Sequence, residues 1–305
     1  MPMPALEPTA AESSRPPSGG SWRRVFSGTP SVRGALGVLA YGTLALVGFR
    51  AQGRLLHRWL PGMDANALYV IGHLAELAEI LLFAWAASIL ERRPFAAYGL
   101  PWRSALRARF WQGAAVGICS IAALVLALAA VGGLQLALPE HVGPSAALFA
   151  AGYLLLFLVL GFREEFLYRG YGLFALAGQA GFWPAAAVTS AWFAAGHAGN
   201  SGETALGLFV VGLFGVLACI LLQRSGNLWM PIGFHAAWNW GQTFLFGVSN
   251  SGFAAAPGHF LTTSVPKSAP AWLSGGSTGP EGSVMCVALF ATLGVVFARW
   301  RRRQA

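Results

Sequence analysis

The chain has 305 residues, of which 56% are hydrophobic and only 10% charged, with 20 Lys and Arg against 11 Asp and Glu. A soluble domain carries about 25% charged residues, so this composition excludes an ordinary soluble enzyme and points to a polytopic membrane protein. The net charge of +9 lies in short arginine clusters beside apolar runs, as orientation signals do, which argues against a nucleic-acid-binding face.

Residues 1–28 are rich in Pro, Ser, Gly and Ala and read as a disordered tail. No apolar signal core with a small-residue cleavage site follows, so no cleavage is expected. Eight apolar runs fill 29–300, at about 34–49, 67–90, 110–131, 146–162, 183–197, 205–222, 228–247 and 284–298. A span needs about 20 residues. The expected fold is therefore all-α, a single transmembrane bundle of about eight helices. A loop with Arg50, Arg54, His57 and Arg58 is expected after the first run. A basic connector, 91–109, follows the second, and its 95–109 portion is expected to lie amphipathically at the interface. The fourth run is expected to continue as one helix to about residue 177. Pro231 falls near the start of the seventh, where proline costs least. A Gly/Ser/Pro-rich loop, about 249–283, has Lys267 and Glu281 as its only charges, and residues 301–305 form a basic tail.

Eight crossings put the connector and the basic tail on one side and the charge-poor loops after the third, fifth and seventh runs on the other. The positive-inside rule then makes both termini cytoplasmic. The three arginines after the first run would face outward, so either that run re-enters without crossing or the rule is broken once. Cys119, Cys219 and Cys286 each lie in an apolar run with no CxxC spacing, and read as buried, inert thiols.

The costly residues are the polar ones inside the apolar runs. The fourth run enters Gly161-Phe-Arg-Glu-Glu-Phe-Leu-Tyr-Arg169. On a continuous helix Glu165 and Arg169 stand one turn apart and can pair. Glu164 points about 100° away and lacks that cation, so one acid is neutralised and the other is free for chemistry. His197 ends the fifth run, one turn after Phe193. His235 and Asn239 share a face of the seventh. Two imidazoles and a carboxylate suit a zinc site that keeps one position for water. Without metal, a desolvated Glu164 suits a general base. The Asn239 amide suits an oxyanion. Singly, each residue has a duller reading, as interhelical hydrogen bonding or a solvated helix end. His73, Glu76 and Glu79 in the second run do not spell HExxH, and fit either a cavity lining or a proton path.

Glu164-Glu165-x-x-x-Arg169, Phe193-x-x-x-His197 and His235-x-x-x-Asn239, in that order on successive hydrophobic segments, resemble the three motifs of the CPBP intramembrane proteases. That family includes CAAX prenyl endopeptidases of the Ras-converting type and bacterial relatives linked to bacteriocin processing and self-immunity. The similarity covers about 95–242, since Phe-Ala-Ala-Tyr-Gly-Leu at 95–100 also looks like the segment preceding the family core. The resemblance implies an α-helical membrane endopeptidase with a polar cavity between helices. In it Glu164 and His197 activate water, and His235 with Asn239 binds the oxyanion, or His235 completes a metal site with Glu164 and His197. Glu165 and Arg169 hold the geometry. Zinc or another divalent ion is thus a candidate cofactor.

The arginine-rich, nearly lysine-free composition fits a bacterial inner-membrane protein. A membrane-anchored peptide or protein segment is then the expected substrate, rather than a prenylated one. Two other functions compete: a non-catalytic membrane scaffold or immunity protein, and a proton-coupled transporter using His73, Glu76 and Glu79.

Overall fold

The structure, a computed structural model, describes residues 31–138, 143, 145–254 and 258–300. The expected tails at 1–28 and 301–305 lie outside the described residues.

Every apolar run is helical. The first helix, α1 (Val32–Thr43), passes through a π-turn (Leu44–Gly48) into α2 (Phe49–Trp59). The Ser31 side chain caps its start by accepting from the Gly34 N–H at 3.0 Å. The expected loop at 50–58 is thus corrected: Arg50, Arg54, His57 and Arg58 belong to the helix. Nothing between Phe49 and Trp59 breaks a helix, and the turn waits for Pro61 and Gly62, the latter at φ +80°. There follow α3 (Ala65–Leu90), α4 (Ala108–Ala130), α5 (Ala146–Arg169), α6 (Tyr171–Ala180), α7 (Phe182–His197), α8 (Ala205–Ser225), α9 (Trp229–Trp240), a short α10 (Ala271–Ser274) and α11 (Val284–Arg299). Asp64, Thr204 and Ser283 cap α3, α8 and α11 through their side-chain oxygens.

Among the described residues, five helical stretches are long and apolar enough to cross a membrane: Gly34–Trp59, Ala65–Leu90, Ala108–Ala130, Ala146–Ala180 and Ala205–Ser225. Their outer faces carry Leu39, Val47, Leu82, Ile89, Leu155 and Phe209, all exposed, as lipid-facing surfaces require. The protein is an all-α integral membrane bundle, with α11 as a shorter apolar helix among the described residues.

Three further expectations are revised. The fourth run does not continue as one helix to residue 177: the helix breaks at Gly170, whose ψ of −129° lies far from helical. The connector forms no amphipathic helix. Pro94 and Pro101 cut it into two 3-10 turns, Phe95–Tyr98 and Trp102–Ser104, and Tyr98 and Leu100 are fully buried. Cys119 is exposed, whereas Cys219 and Cys286 are buried.

The closest helix packing is α4 against α9. A Cβ on Gly113 would fall 1.9 Å from the Met230 carbonyl oxygen, one on Gly117 2.3 Å from that of Phe234, and one on Gly233 2.1 Å from that of Phe110. Small residues let backbones approach in this way, and Gly113 and Gly117 form a GxxxG pair. This contact seats the helix that bears His235 and Asn239.

The loops gather at two ends of the bundle. Gln135–Ala137 (β1) pairs antiparallel with Thr262–Ser264 (β2). Gly202 N–H donates to Gly252 at 3.1 Å, and Asn200 donates to Ser251 at 2.7 Å. The three charge-poor loops therefore meet. At the other end Leu228 N–H donates to Gly99 at 2.8 Å, and the Arg109 guanidinium lies over the Trp300 ring at 5.2 Å.

Candidate active site

Three helices supply the polar cluster. On α5, Glu165 and Arg169 are both 0% exposed and pair at 3.2 Å, as one helical turn between them predicts. The guanidinium also lies over the Phe193 ring at 4.4 Å, a cation–π contact that desolvation strengthens. Phe193 sits edge-on to His197 at 4.6 Å and to His235 at 6.2 Å. It therefore stacks between the ion pair and both imidazoles.

His235 stands between the two acids. Its Nδ1–H donates to Glu165 Oε1 at 2.9 Å, and its Nε2 faces Glu164 Oε2 at 3.6 Å. The buried pair thus fixes the orientation of the His235 ring. A fixed ring orientation is what an imidazole needs to present one nitrogen to a reacting group. His197 at the end of α7 donates Nδ1–H to the Phe193 carbonyl at 2.9 Å, which leaves Nε2 available.

Glu164 is not left without a cation. Arg163, its immediate neighbour, reaches Oε1 at 3.3 Å. That pairing occupies one oxygen and leaves Oε2 on the side of His235. Helical spacing singles out Arg169 and passes over the arginine one position before the acids.

A cavity of about 30 Å³ is lined by Phe193, His197, His235, Asn239, Ser251 and Glu281, with aliphatic and aromatic side chains completing it. Since a water needs about 10–15 Å³ of such space, the cavity accepts one or two. It brings His197, His235 and Asn239 together. Glu164 is not among its lining residues and meets it through His235.

Sequence reasoning missed Glu281 as a site residue. It accepts from Trp238 Nε1 at 3.1 Å and from Ser251 N–H at 2.7 Å and Oγ–H at 3.0 Å. Burial pushes its carboxyl above the usual range, against the lowering effect of those hydrogen bonds. The available signal was its place as the one acid in a charge-poor loop. Ser251 adopts φ +46°, a conformation uncommon for a residue with a side chain, where it closes the cavity.

Among the described residues no group of three or more His, Cys, Asp and Glu side chains is arranged to hold a metal ion. Arg163 takes one carboxylate oxygen of Glu164, while the Nδ1 bonds of His197 and His235 leave each Nε2 open, the arrangement a metal-ligating imidazole has.

No curated protein and no solved structure matches the chain. The family model for type II CAAX prenyl endopeptidase Rce1-like proteins matches residues 144–241, and that segment contains the Glu164–Arg169, Phe193–His197 and His235–Asn239 motifs. Residues 144–241 of this chain, which hold the polar cluster on α5, α7 and α9, are thus similar to the Rce1-like family over that segment.

Proposed function

We propose that the protein is an intramembrane endopeptidase that hydrolyses a peptide bond in a membrane-anchored peptide or protein. The observation that carries this reading is His235, held by buried Glu165 and directed at Glu164, beside a water-sized cavity that His197 and Asn239 also line.

In the proposed reaction a water in the cavity gives a proton to His197 Nε2, with Glu164 stabilising the imidazolium. The hydroxide attacks the scissile carbonyl carbon. The resulting oxyanion is held by the Asn239 amide and by His235 Nε2–H, since a doubly protonated His235 donates on both sides. Oriented donors of this kind are worth about 10²–10³ each in turnover. The C–N bond then breaks, and the proton on His197 passes to the leaving amine. Glu165 and Arg169 do not touch the substrate; they hold His235. The same Glu164, His197 and His235 are the donors that would bind a divalent ion, and metal analysis of purified protein with chelator titration tests that role.

Arginine-rich ends make both termini cytoplasmic in this reading, and the composition favours a bacterial inner membrane. The Rce1-like match supports a CAAX-type protease mechanism; the prenyl group itself is not part of the proposed substrate.

The test uses the purified protein in liposomes with a pooled library of membrane-anchored peptides, cleavage being read by mass spectrometry. Wild type cuts a subset, and Glu164→Gln, nearly isosteric, cuts none while melting normally. A library left whole by the wild type, or cut equally by Glu164→Gln, refutes the proposal. The second result would favour a scaffold that keeps the motifs for stability.

A further inference from the structure

The His73, Glu76 and Glu79 group on α3 lies outside the Rce1-like segment, yet it reaches the proposed catalytic acid. Arg163 bridges the two helices. Its Nη2 donates to Glu76 Oε2 at 2.6 Å and its Nη1 to Glu164 Oε1 at 3.3 Å. His73 Nδ1 meets the same Glu76 oxygen at 3.0 Å. The Phe49 ring on α2 lies beneath the guanidinium at 5.7 Å. Arg163, Glu76 and Glu164 are only 13%, 16% and 18% exposed, so solvent screens this network weakly.

A guanidinium is a rigid fork that grips a carboxylate through two nitrogens when nothing else claims them. A two-armed grip on Glu164 would occupy both oxygens and leave none for chemistry. Here one arm is already taken by Glu76. We propose that Glu76 is a positioning residue for Glu164: by holding Arg163 Nη2 it confines the guanidinium to Oε1 and leaves Oε2 for the cavity side. His73 in turn fixes Glu76. This inference rests on Glu164 acting in proteolysis. It also gives the α3 cluster a role other than transport.

A plain structural strut between α3 and α5 would show the same distances, so the test must separate binding from chemistry. The full-length protein in liposomes is assayed with the library peptide that wild type cuts fastest. Glu76→Gln keeps the shape and removes the charge. It should lower kcat roughly 10–100-fold, the range a misplaced catalytic group costs, with KM within about twofold because substrate binding is untouched. Arg163→Lys, a single-point cation that cannot hold both acids at once, should lower kcat similarly. Glu76→Gln added to Arg163→Lys should then cost nothing more, because Glu76 acts through Arg163. Wild-type kcat in Glu76→Gln, losses that multiply in the double variant, or a fall in activity that only tracks a fall in melting temperature each overturn the positioning role. If Glu164→Gln is dead while Glu76→Gln matches wild type, only this inference fails. If Glu164→Gln is fully active, the protease reading fails and takes this inference with it.

Discussion

Replacing Glu165 by glutamine changes one charge at the centre of the bundle and almost no volume. Glu165 and Arg169 are both 0% exposed, so the remaining guanidinium has no bulk water to compensate it. Removing one partner of a buried pair costs about 3–5 kcal/mol. At about 2–4 °C per kcal/mol for a chain of this order, the melting temperature should fall by roughly 6–20 °C. The amide oxygen introduced by Glu165→Gln can still accept from His235, so the loss reports the stranded charge rather than a missing hydrogen bond. The assay is thermal unfolding of detergent-solubilised protein, with Arg169→Met as the second perturbation. In the double variant Glu165→Gln/Arg169→Met neither charge remains, and at least half the lost stability should return. A melting point for Glu165→Gln within about 1 °C of wild type would refute the reasoning. So would a double variant as unstable as the sum of its parts, because the buried pair would then carry no coupling.

Gly117→Val should disrupt the α4–α9 contact, since even a Cβ there would meet the Phe234 carbonyl oxygen at 2.3 Å. Overpacking costs about 1–3 kcal/mol, and the shift of α9 should also abolish cleavage; unaltered turnover on the library peptides would disprove the seating role. His197→Gln should lower kcat by about 10²–10⁴, the range for a lost general base, with peptide binding retained; a wild-type rate would remove His197 from the mechanism. Glu281 predicts a pH effect on stability. Its folded carboxyl is raised above its unfolded value by burial, so the folded state prefers the neutral form. Stability should therefore fall as pH rises from about 4.3, the unfolded value, through the raised folded value, and be flat above it. Glu281→Gln, neutral throughout, should remove that falling limb, and an unchanged limb in the variant would assign it to another group.

The Glu165–Arg169 pair was legible in the sequence because helical period alone puts residues four apart on one face. The eight apolar runs and the all-α class were legible for a similar reason: hydrocarbon tolerates only backbones whose hydrogen bonds close within the segment. The order of Glu164, His197, His235 and Asn239 on successive runs was enough to nominate a site. Length and hydropathy could not say that the first helix runs on through Arg50 and Arg54, since an amphipathic helix and a basic loop share that composition. Nor could they say that prolines would fold the connector into buried turns.

What the tertiary structure decided is which polar groups meet. Arg163 finds Glu76 on α3, Glu281 returns from a distant loop to Trp238 and Ser251, and His235 comes to rest between two acids. No periodicity links such residues, because their separation along the chain is set by helix lengths and turns and not by a repeat. Sequence determined that several costly side chains must be buried in the bilayer. Helix packing, through glycines that bring α4 and α9 backbones into contact, determined which of them compensate one another and which are left to act.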